Sequence, residues 1–441
     1  MTAYWNPAVE TMPREQLRAL QEERLRASIR HAYDRVPFYR ERFAAAGITP
    51  DDIRGLNDLP KLPFTTKSDL RDHYPFGLFA VPQDQIARVH ASSGTRGKLT
   101  VVGYTANDLK VWGEVVARAL FLAGARPGDV LHNAYGYGLF TGGLGLHLGG
   151  ETIGALVVPM GGGNTARQVM LIRDFGARVL CCTPSYALMI AEECDRQGID
   201  TADLPLAYGI FGAEPWSDAL RDEIERRLHI VATDIYGLSE VIGPGVSNEC
   251  IEAKEGLHIA EDHFYPEIIN PETGEPLPPG EWGELVFTSL TKEAFPNIRY
   301  RTGDISRLLD EPCACGRTSR RMARLRGRHD DMLIVRGVNV FPSEVEAVLV
   351  AADEIAPFYQ LVLGRDGTLD TLDVQAEVTP RFAADCGGFD GNHPAVNALH
   401  VRLGQELRSR LGLSVTISLL PPGNLPRIEV GKAARVVDRR Q

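Results

Sequence analysis

Residues 179–235 read VLCCTPSYALMIAEECDRQGIDTADLPLAYGIFGAEPWSDALRDEIERRLHIVATDI, and this stretch decides the fold. Short apolar runs at 179–182, 207–211 and 230–235 predict strands. Between them, residues 186–196 and 218–228 carry apolar positions at helical spacing. The first helix stops near Gly198, and the second opens on Ser217 as its N-cap. Strands alternating with helices in this way predict a largely parallel, doubly wound α/β sheet. Towards the N-terminus the same grammar begins at Val130-Leu131 and continues with a strand at 156–158. There Gly161-Gly162-Gly163 leads into a helix from Thr165, capped by Asn164 and stopped at Gly176. Further back, Leu17, Leu20, Leu25, Ile29 and Ala32 form the apolar face of an amphipathic helix over 13–47.

After about residue 260 the texture changes. Strands at 284–288 and 305–309, separated by turns such as Pro279-Gly280, predict an antiparallel, barrel-like region. A small α+β unit follows Asp330, with helices over 342–350 and 393–411 and strands over 360–363 and 415–420. Within it, Leu372, Val374, Ala376 and Val378 alternate with Asp373, Gln375 and Glu377, the mark of a half-buried strand. The expected division is a large N-terminal body, 1–329, and a C-terminal lobe, 330–441.

A chain of 441 residues exceeds what one core usually serves. At 44% hydrophobic and 24% charged it is globular, which excludes disordered and collagen-like classes. A net charge of −11 argues against binding nucleic-acid polymers or anionic membranes, though local loops can still hold a nucleotide. The 44 glycines and 28 prolines require many specific turns, as an enzyme has. The N-terminus lacks a basic start followed by an apolar run, so no signal peptide is expected. No apolar run is long enough to span a bilayer. Seven cysteines, with Cys181 and Cys182 inside an apolar run as core thiols, suggest a reduced, cytoplasmic protein.

Several loops carry chemistry. Ser92-Ser93-Gly94-Thr95-Arg96-Gly97-Lys98 follows a strand-like 86–90 and has what a polyphosphate loop needs. Hydroxyls and backbone N–H groups donate, glycine permits close approach, and Arg96 and Lys98 neutralise charge. It fits neither the Walker spacing nor the dinucleotide fingerprint. Phe211-Gly212-Ala213-Glu214-Pro215 and Asp234-Ile235-Tyr236-Gly237-Leu238-Ser239-Glu240 each close a strand, where open α/β sheets collect ligands. Tyr300-Arg301-Thr302-Gly303-Asp304 puts a carboxylate on a glycine turn, suited to two ribose hydroxyls. Gly327-Arg328-His329-Asp330-Asp331 leads to Val335-Arg336-Gly337, and Gly431-Lys432 places a lone lysine near the C-terminus. Taken singly, each reads equally well as a helix cap, a solvated turn or a surface charge.

Taken in order, these segments resemble the adenylate-forming superfamily of acyl-CoA synthetases, luciferases and peptide-synthetase adenylation domains. Residues 134–143, 236–245 and 331–342 are similar to its phenylacetate–CoA ligase branch. The resemblance implies a carboxylate attacking the α-phosphorus of ATP to give an acyl-adenylate and pyrophosphate, then coenzyme A displacing AMP. By matched positions, Ser92, Ser93, Gly94, Thr95, Arg96, Gly97 and Lys98 would hold the β- and γ-phosphates. Tyr236 would stack on adenine beside Glu214 and Pro215, within a nucleotide segment that includes Asp234, Gly237 and Ser239. Glu240 would help hold Mg²⁺, Asp304 would take the ribose diol, and Arg328 would reach ribose or phosphate. Lys432 would counter charge between the acid and the α-phosphate. Four residues separate Pro426 from Gly431, whereas the branch often shortens this segment. Asp330 matches a hinge between half-reactions, and Gly337 would border the pantetheine channel.

In the same branch Tyr135, Tyr137, Phe140, Gly212, Ala213 and Pro244 fall in segments that line the acyl pocket. Aromatic walls with small gaps favour a flat aryl acid, although packing in the core explains each aromatic equally well. Cys313 and Cys315 form a short knuckle, and with Cys250 and His258 they would complete a closed structural Zn²⁺ site. His263 is a substitute ligand or a hydrogen-bonded structural histidine. The expected function is an aryl-acid–CoA ligase using ATP, Mg²⁺ and coenzyme A. The alternative is an adenylating enzyme that passes acyl-AMP to a carrier protein. An inactive nucleotide-binding relative is disfavoured by the presence of Lys432, Asp304 and Glu240. A homodimer is expected only from the resemblance.

Overall fold

The computed structural model describes residues 3–92, 99–328, 333–336, 338–366, 369–427 and 435–440. The predicted strands join a sheet that, among the described residues, has nine members. Its parallel half runs Val231–Leu238, Tyr208–Gly212, Val179–Cys182, Val130–Asn133 and Leu156–Val158. Beyond Val231–Leu238 the sheet turns antiparallel through Gly243–Glu249, Leu257–Ile259, Arg321–Met322 and Leu308–Leu309.

The strands read as continuous apolar runs because both faces are covered. Val179 and Cys181 point into one core with Trp112, Val116 and Leu131. Leu180 and Cys182 point into another, under helices Thr165–Asp174, Pro184–Gln197 and Asp218–Leu228. The two adjacent thiols thus lie on opposite faces, both fully buried. The helix Asp218–Leu228 is too short to persist alone. It is held by buried Leu220, Ile224 and Leu228 and by Ser217, whose side chain accepts from the Leu220 N–H at 3.2 Å.

An antiparallel sheet of Phe264–Ile269, Gly283–Ser289, Tyr300–Ser306 and Gly327–Arg328 stands beside this body. The hairpin Arg88–Ser92 and Thr100–Tyr104 brackets the predicted phosphate loop. A smaller α+β lobe packs helices Pro342–Val350 and Pro394–Leu411 on a mixed sheet. Its strand order is Thr416–Leu420, Leu369–Val378, Ile355–Asp366 and Val436–Asp438. The expected α/β body with a small α+β lobe is the observed architecture. Among the described residues, no helix is long and apolar enough to cross a membrane.

Three expectations change. The helix over 13–47 is two helices, Arg14–Arg35 and Pro37–Ala45, because Pro37 forces Val36 into an extended conformation. The strand expected over 305–309 divides between Tyr300–Ser306 and Leu308–Leu309, which lie in different sheets. The strand expected at 86–90 is Arg88–Ser92, two residues further on.

Candidate active site

The loops after the parallel strands are tied down by hydrogen bonds and packing. After Tyr208–Gly212 the chain passes through Ala213, which has a positive φ of 70°. For a residue with a Cβ this is an uncommon conformation that its surroundings must enforce. Glu214 next accepts the backbone N–H of Ser185 at 2.7 Å, at the start of helix Pro184–Gln197. Trp216 is buried, with Arg324 and Arg221 over its ring at 4.7 and 5.3 Å.

On Val231–Leu238, Asp234 receives Arg324 Nε at 3.2 Å, and its N–H donates to Glu249 at 2.8 Å. Glu249 is fully buried and takes two 2.8 Å hydrogen bonds from Arg221. Burial pushes its carboxyl up, and the Arg221 charge opposes that shift. Two residues on, the Tyr236 phenol donates to Asp304 Oδ2 at 2.6 Å. Burial and then the Asp304 charge raise its pKa well above the ordinary value, so it stays a donor. Asp304 lies opposite Arg328 in the ladder, with Arg328 Nε 3.9 Å from Oδ1. At Gly237 a Cβ would lie 1.8 Å from the Gly243 carbonyl oxygen, so only glycine allows this crossing of strands.

Ser239 and Glu240 follow. Ser239 Oγ is 3.1 Å from the Thr141 hydroxyl, and Ser92 Oγ donates to Glu240 Oε1 at 3.4 Å. Both residues are buried. Three successive carbonyls of this turn meet side chains from two other segments. Asn297 Nδ2 donates to the Glu240 carbonyl, Lys292 Nζ to Val241 at 3.1 Å, and the Tyr104 phenol to Ile242 at 2.9 Å. Lys292 is buried and stands 4.1 Å from the Tyr104 ring centroid. Burial lowers its pKa to about 8, against the pull of Asp108 and Glu240. No sequence motif marks these three donors, because they recognise backbone oxygens.

Of the segments expected around an acid pocket, Tyr135–Gly136 and Pro244 pack against glycines of helix Thr141–Thr152. Tyr135 is buried, and its phenol has no hydrogen-bond partner among the described residues. The Tyr137 hydroxyl accepts from Asn133 Nδ2 at 2.8 Å and lies 3.1 Å from His147 Nδ1. Phe140 is partly exposed, and the Pro244 carbonyl accepts from Trp112 Nε1 at 3.0 Å. Gly212 ends the strand Tyr208–Gly212, and Ala213 follows it. Pro215 continues the same loop. Ser93, Gly94, Thr95, Arg96, Gly97, Lys98, Asp330, Gly337 and Lys432 lie outside the described residues.

A second constellation is well separated in sequence. Cys250, His258, Cys313 and Cys315 offer ligand atoms all within 4.8 Å of one another. Cys250 and Cys313 sulfurs are 3.6 Å apart, and Cys315 Sγ lies 3.2 Å from His258 Nε2. Tetrahedral zinc with bonds of roughly 2.0–2.3 Å would set its ligands about 3.3–3.8 Å apart, so the donor set fits. His258 Nδ1 lies 3.2 Å from Ser319 Oγ, which leaves Nε2 towards the thiols. The contact between Cys250 and Cys315 lowers the Cys315 thiol and raises that of Cys250, and His258 adds to the lowering. His263 is not part of this group: it lies 2.7 Å from the Thr291 hydroxyl and 3.1 Å from Asp262, as a structural histidine does.

The chain belongs to the AMP-binding enzyme family, whose model matches residues 12–291, and the AMP-binding enzyme C-terminal domain matches residues 337–440. It is 56% identical to the phenylacetate-coenzyme A ligase of Thermus thermophilus, over 99% of this chain and all of that one. To the phenylacetate-coenzyme A ligase of Escherichia coli it is 53% identical, over 98% of this chain and 97% of that one. Its structure is similar to that of 2-hydroxyisobutyryl-CoA ligase with 2-HIB-AMP in the postadenylation state. The TM-score is 0.93 at 28% identity, covering 100% of this chain and 93% of the other. Against the same ligase with 2-HIB-AMP and CoA in the thioesterification state, the TM-score is 0.73 at equal coverage.

Proposed function

We propose that the protein is an AMP-forming aryl-acid–CoA ligase acting on an acid of the phenylacetate type. The observation that carries this reading is the 56% identity to a phenylacetate-coenzyme A ligase along the full length of both chains. A carboxylate attacks the α-phosphorus of ATP, pyrophosphate leaves, and the thiol of coenzyme A displaces AMP from the acyl-adenylate. Such chemistry depends on positioning and on neutralising charge, which is what a pre-braced site supplies.

In this reading Tyr236 stacks on adenine beside Glu214 and Pro215, and Asp304 accepts the ribose hydroxyls with Arg328 alongside. The 92–98 loop holds the outer phosphates, and Lys432 meets the charge growing between acid and α-phosphate. Glu240, one carboxylate in a turn fixed by three side chains, fits a cation that takes few protein ligands and completes its shell from phosphates. Bound Mg²⁺ would neutralise phosphate charge there. Tyr135, Tyr137, Phe140, Ala213 and Pro244 form the acid pocket, where a flat ring fits between aromatic walls. Asp330 serves as the hinge and Gly337 borders the pantetheine path. Cys250, His258, Cys313 and Cys315 hold a structural zinc away from the chemistry.

Acid-dependent ATP–pyrophosphate exchange across aryl and aliphatic acids tests the reading. Phenylacetate and close aryl acids are expected to support exchange far better than aliphatic acids. A preference for aliphatic acids would contradict it. Thioester formation with free coenzyme A, rather than with a carrier protein alone, distinguishes the acceptor.

A further inference from the structure

Glu346 is a buried carboxylate that none of the roles above employs. It sits on helix Pro342–Val350 of the small lobe and is 2% exposed. Its Oε1 accepts the backbone N–H of Ser217 at 2.8 Å, across the gap to the body. Ser217 caps helix Asp218–Leu228 and lies three residues after Glu214, at the foot of the strand-end loop. A carboxylate at a helix N-terminus meets both unpaired N–H groups and the positive end of the helix dipole.

The other side of Glu346 belongs to its own lobe. Tyr359 OH donates to Oε2 at 3.0 Å, and Arg435 stands 3.9 Å from the same oxygen with its guanidinium over the Tyr359 ring at 4.3 Å. Arg435 follows Lys432 by three positions. Tyr359, Glu346 and Arg435 therefore form one unit, and Ser217 is the point where the body engages it. A second contact lies nearby. Phe358, Ala356 and Leu425 enter the apolar cluster of helix Pro184–Gln197, and Arg427 reaches within 3.7 Å of Glu192.

We propose that Glu346 is a positioning residue for adenylate formation: by gripping Ser217 it locks the small lobe against the strand-end loop of the body. The inference rests on the two-step reaction proposed above. The lobe arrangement seen here matches a relative's postadenylation state at a TM-score of 0.93 and its thioesterification state at 0.73. The two arrangements differ, and a contact made by Ser217 to Glu346 in one biases the equilibrium towards it. A hydrogen bond from an N–H to a buried carboxylate is worth about ten-fold or more in such an equilibrium.

The half-reactions separate this role from a merely structural one. For Glu346→Ala, acid-dependent pyrophosphate exchange is expected to fall about ten-fold to a hundred-fold in kcat. The KM values for ATP and acid should stay within about two-fold, because the ligand contacts are untouched. Conversion of synthetic acyl-adenylate and coenzyme A to thioester should also stay within about two-fold of wild type. Glu346→Gln keeps the shape and a weaker acceptor, so it folds if the alanine variant does not, and it should show a smaller loss confined to exchange. Parallel loss in both half-reactions, or unchanged exchange, would overturn the proposal while leaving the ligase reading intact. Absence of acid-dependent exchange in the wild type would overturn the ligase reading and the grip together.

Discussion

The Tyr236 phenol lies 2.6 Å from Asp304 Oδ2, and that hydrogen bond links a strand of the nine-stranded sheet to a strand of the antiparallel sheet beside it. Asp304 is also faced by Arg328 from the next strand, so the carboxylate is held from two sides before a nucleotide arrives. The same residue pair therefore serves stability and, in the proposed reaction, ribose recognition.

Replacing Tyr236 with Phe removes that bond and keeps the ring. Loss of a hydrogen bond to a charged acceptor costs about 1.5–3 kcal/mol, so urea unfolding should show a decrease of that size. The KM for ATP in pyrophosphate exchange should rise about three- to ten-fold as Asp304 loses its brace. Unchanged stability together with unchanged KM would show that the contact contributes nothing.

Lys292 gives a pH signature. Its pKa is about 8 in the fold against an ordinary value of 10.5. Between those values the unfolded chain binds more protons, so this group's contribution to stability rises with pH from about 8 to 10.5. Below that window the desolvation cost of the charged amine is fully present. The stability difference between wild type and Lys292→Met should grow by about 3 kcal/mol across the window in favour of wild type. Chemical unfolding at a series of pH values measures it, and a flat difference would contradict the buried-amine account.

Metal analysis addresses the cysteine cluster. Purified protein is expected to hold about one zinc per chain, and Cys313→Ser to lose it. Chelation should lower the melting temperature while leaving the KM for ATP unchanged, because the cluster ties the 311–317 knuckle to Tyr4 and Glu10 through Cys315 and Arg317. Less than a tenth of an equivalent of zinc would retire the site.

The doubly wound sheet was legible because its strands are short apolar runs with caps at Ser217 and Gly198. Two central helices were not. Ala106–Leu122 is buried on most of its surface, although Thr105 and Asp108 form a capping box that could have marked its start. Thr141–Thr152 contains five glycines and reads as a loop by propensity. There tertiary packing prevails: a Cβ on Gly149 would stand 2.3 Å from Val116, and one on Gly145 would stand 2.5 Å from Pro244. Glycine lets this helix approach its neighbours. At the site, loop motifs pointed to Tyr236, Asp304 and Glu240, whereas Lys292, Asn297 and Tyr104 act on backbone oxygens. Glu346 alternates with Glu344 on a helix start, and only the packing of two lobes distinguishes the buried one.

Lys432→Ala should abolish acid-dependent exchange while unfolding by urea stays within about 0.5 kcal/mol of wild type. Near-normal exchange would move the catalytic role to another cation.

The most direct test counts products. Incubated with phenylacetate, ATP, Mg²⁺ and coenzyme A, the protein is predicted to yield AMP, pyrophosphate and phenylacetyl-CoA in equal amounts. Formation of ADP and phosphate, or of AMP with no thioester, would contradict the account.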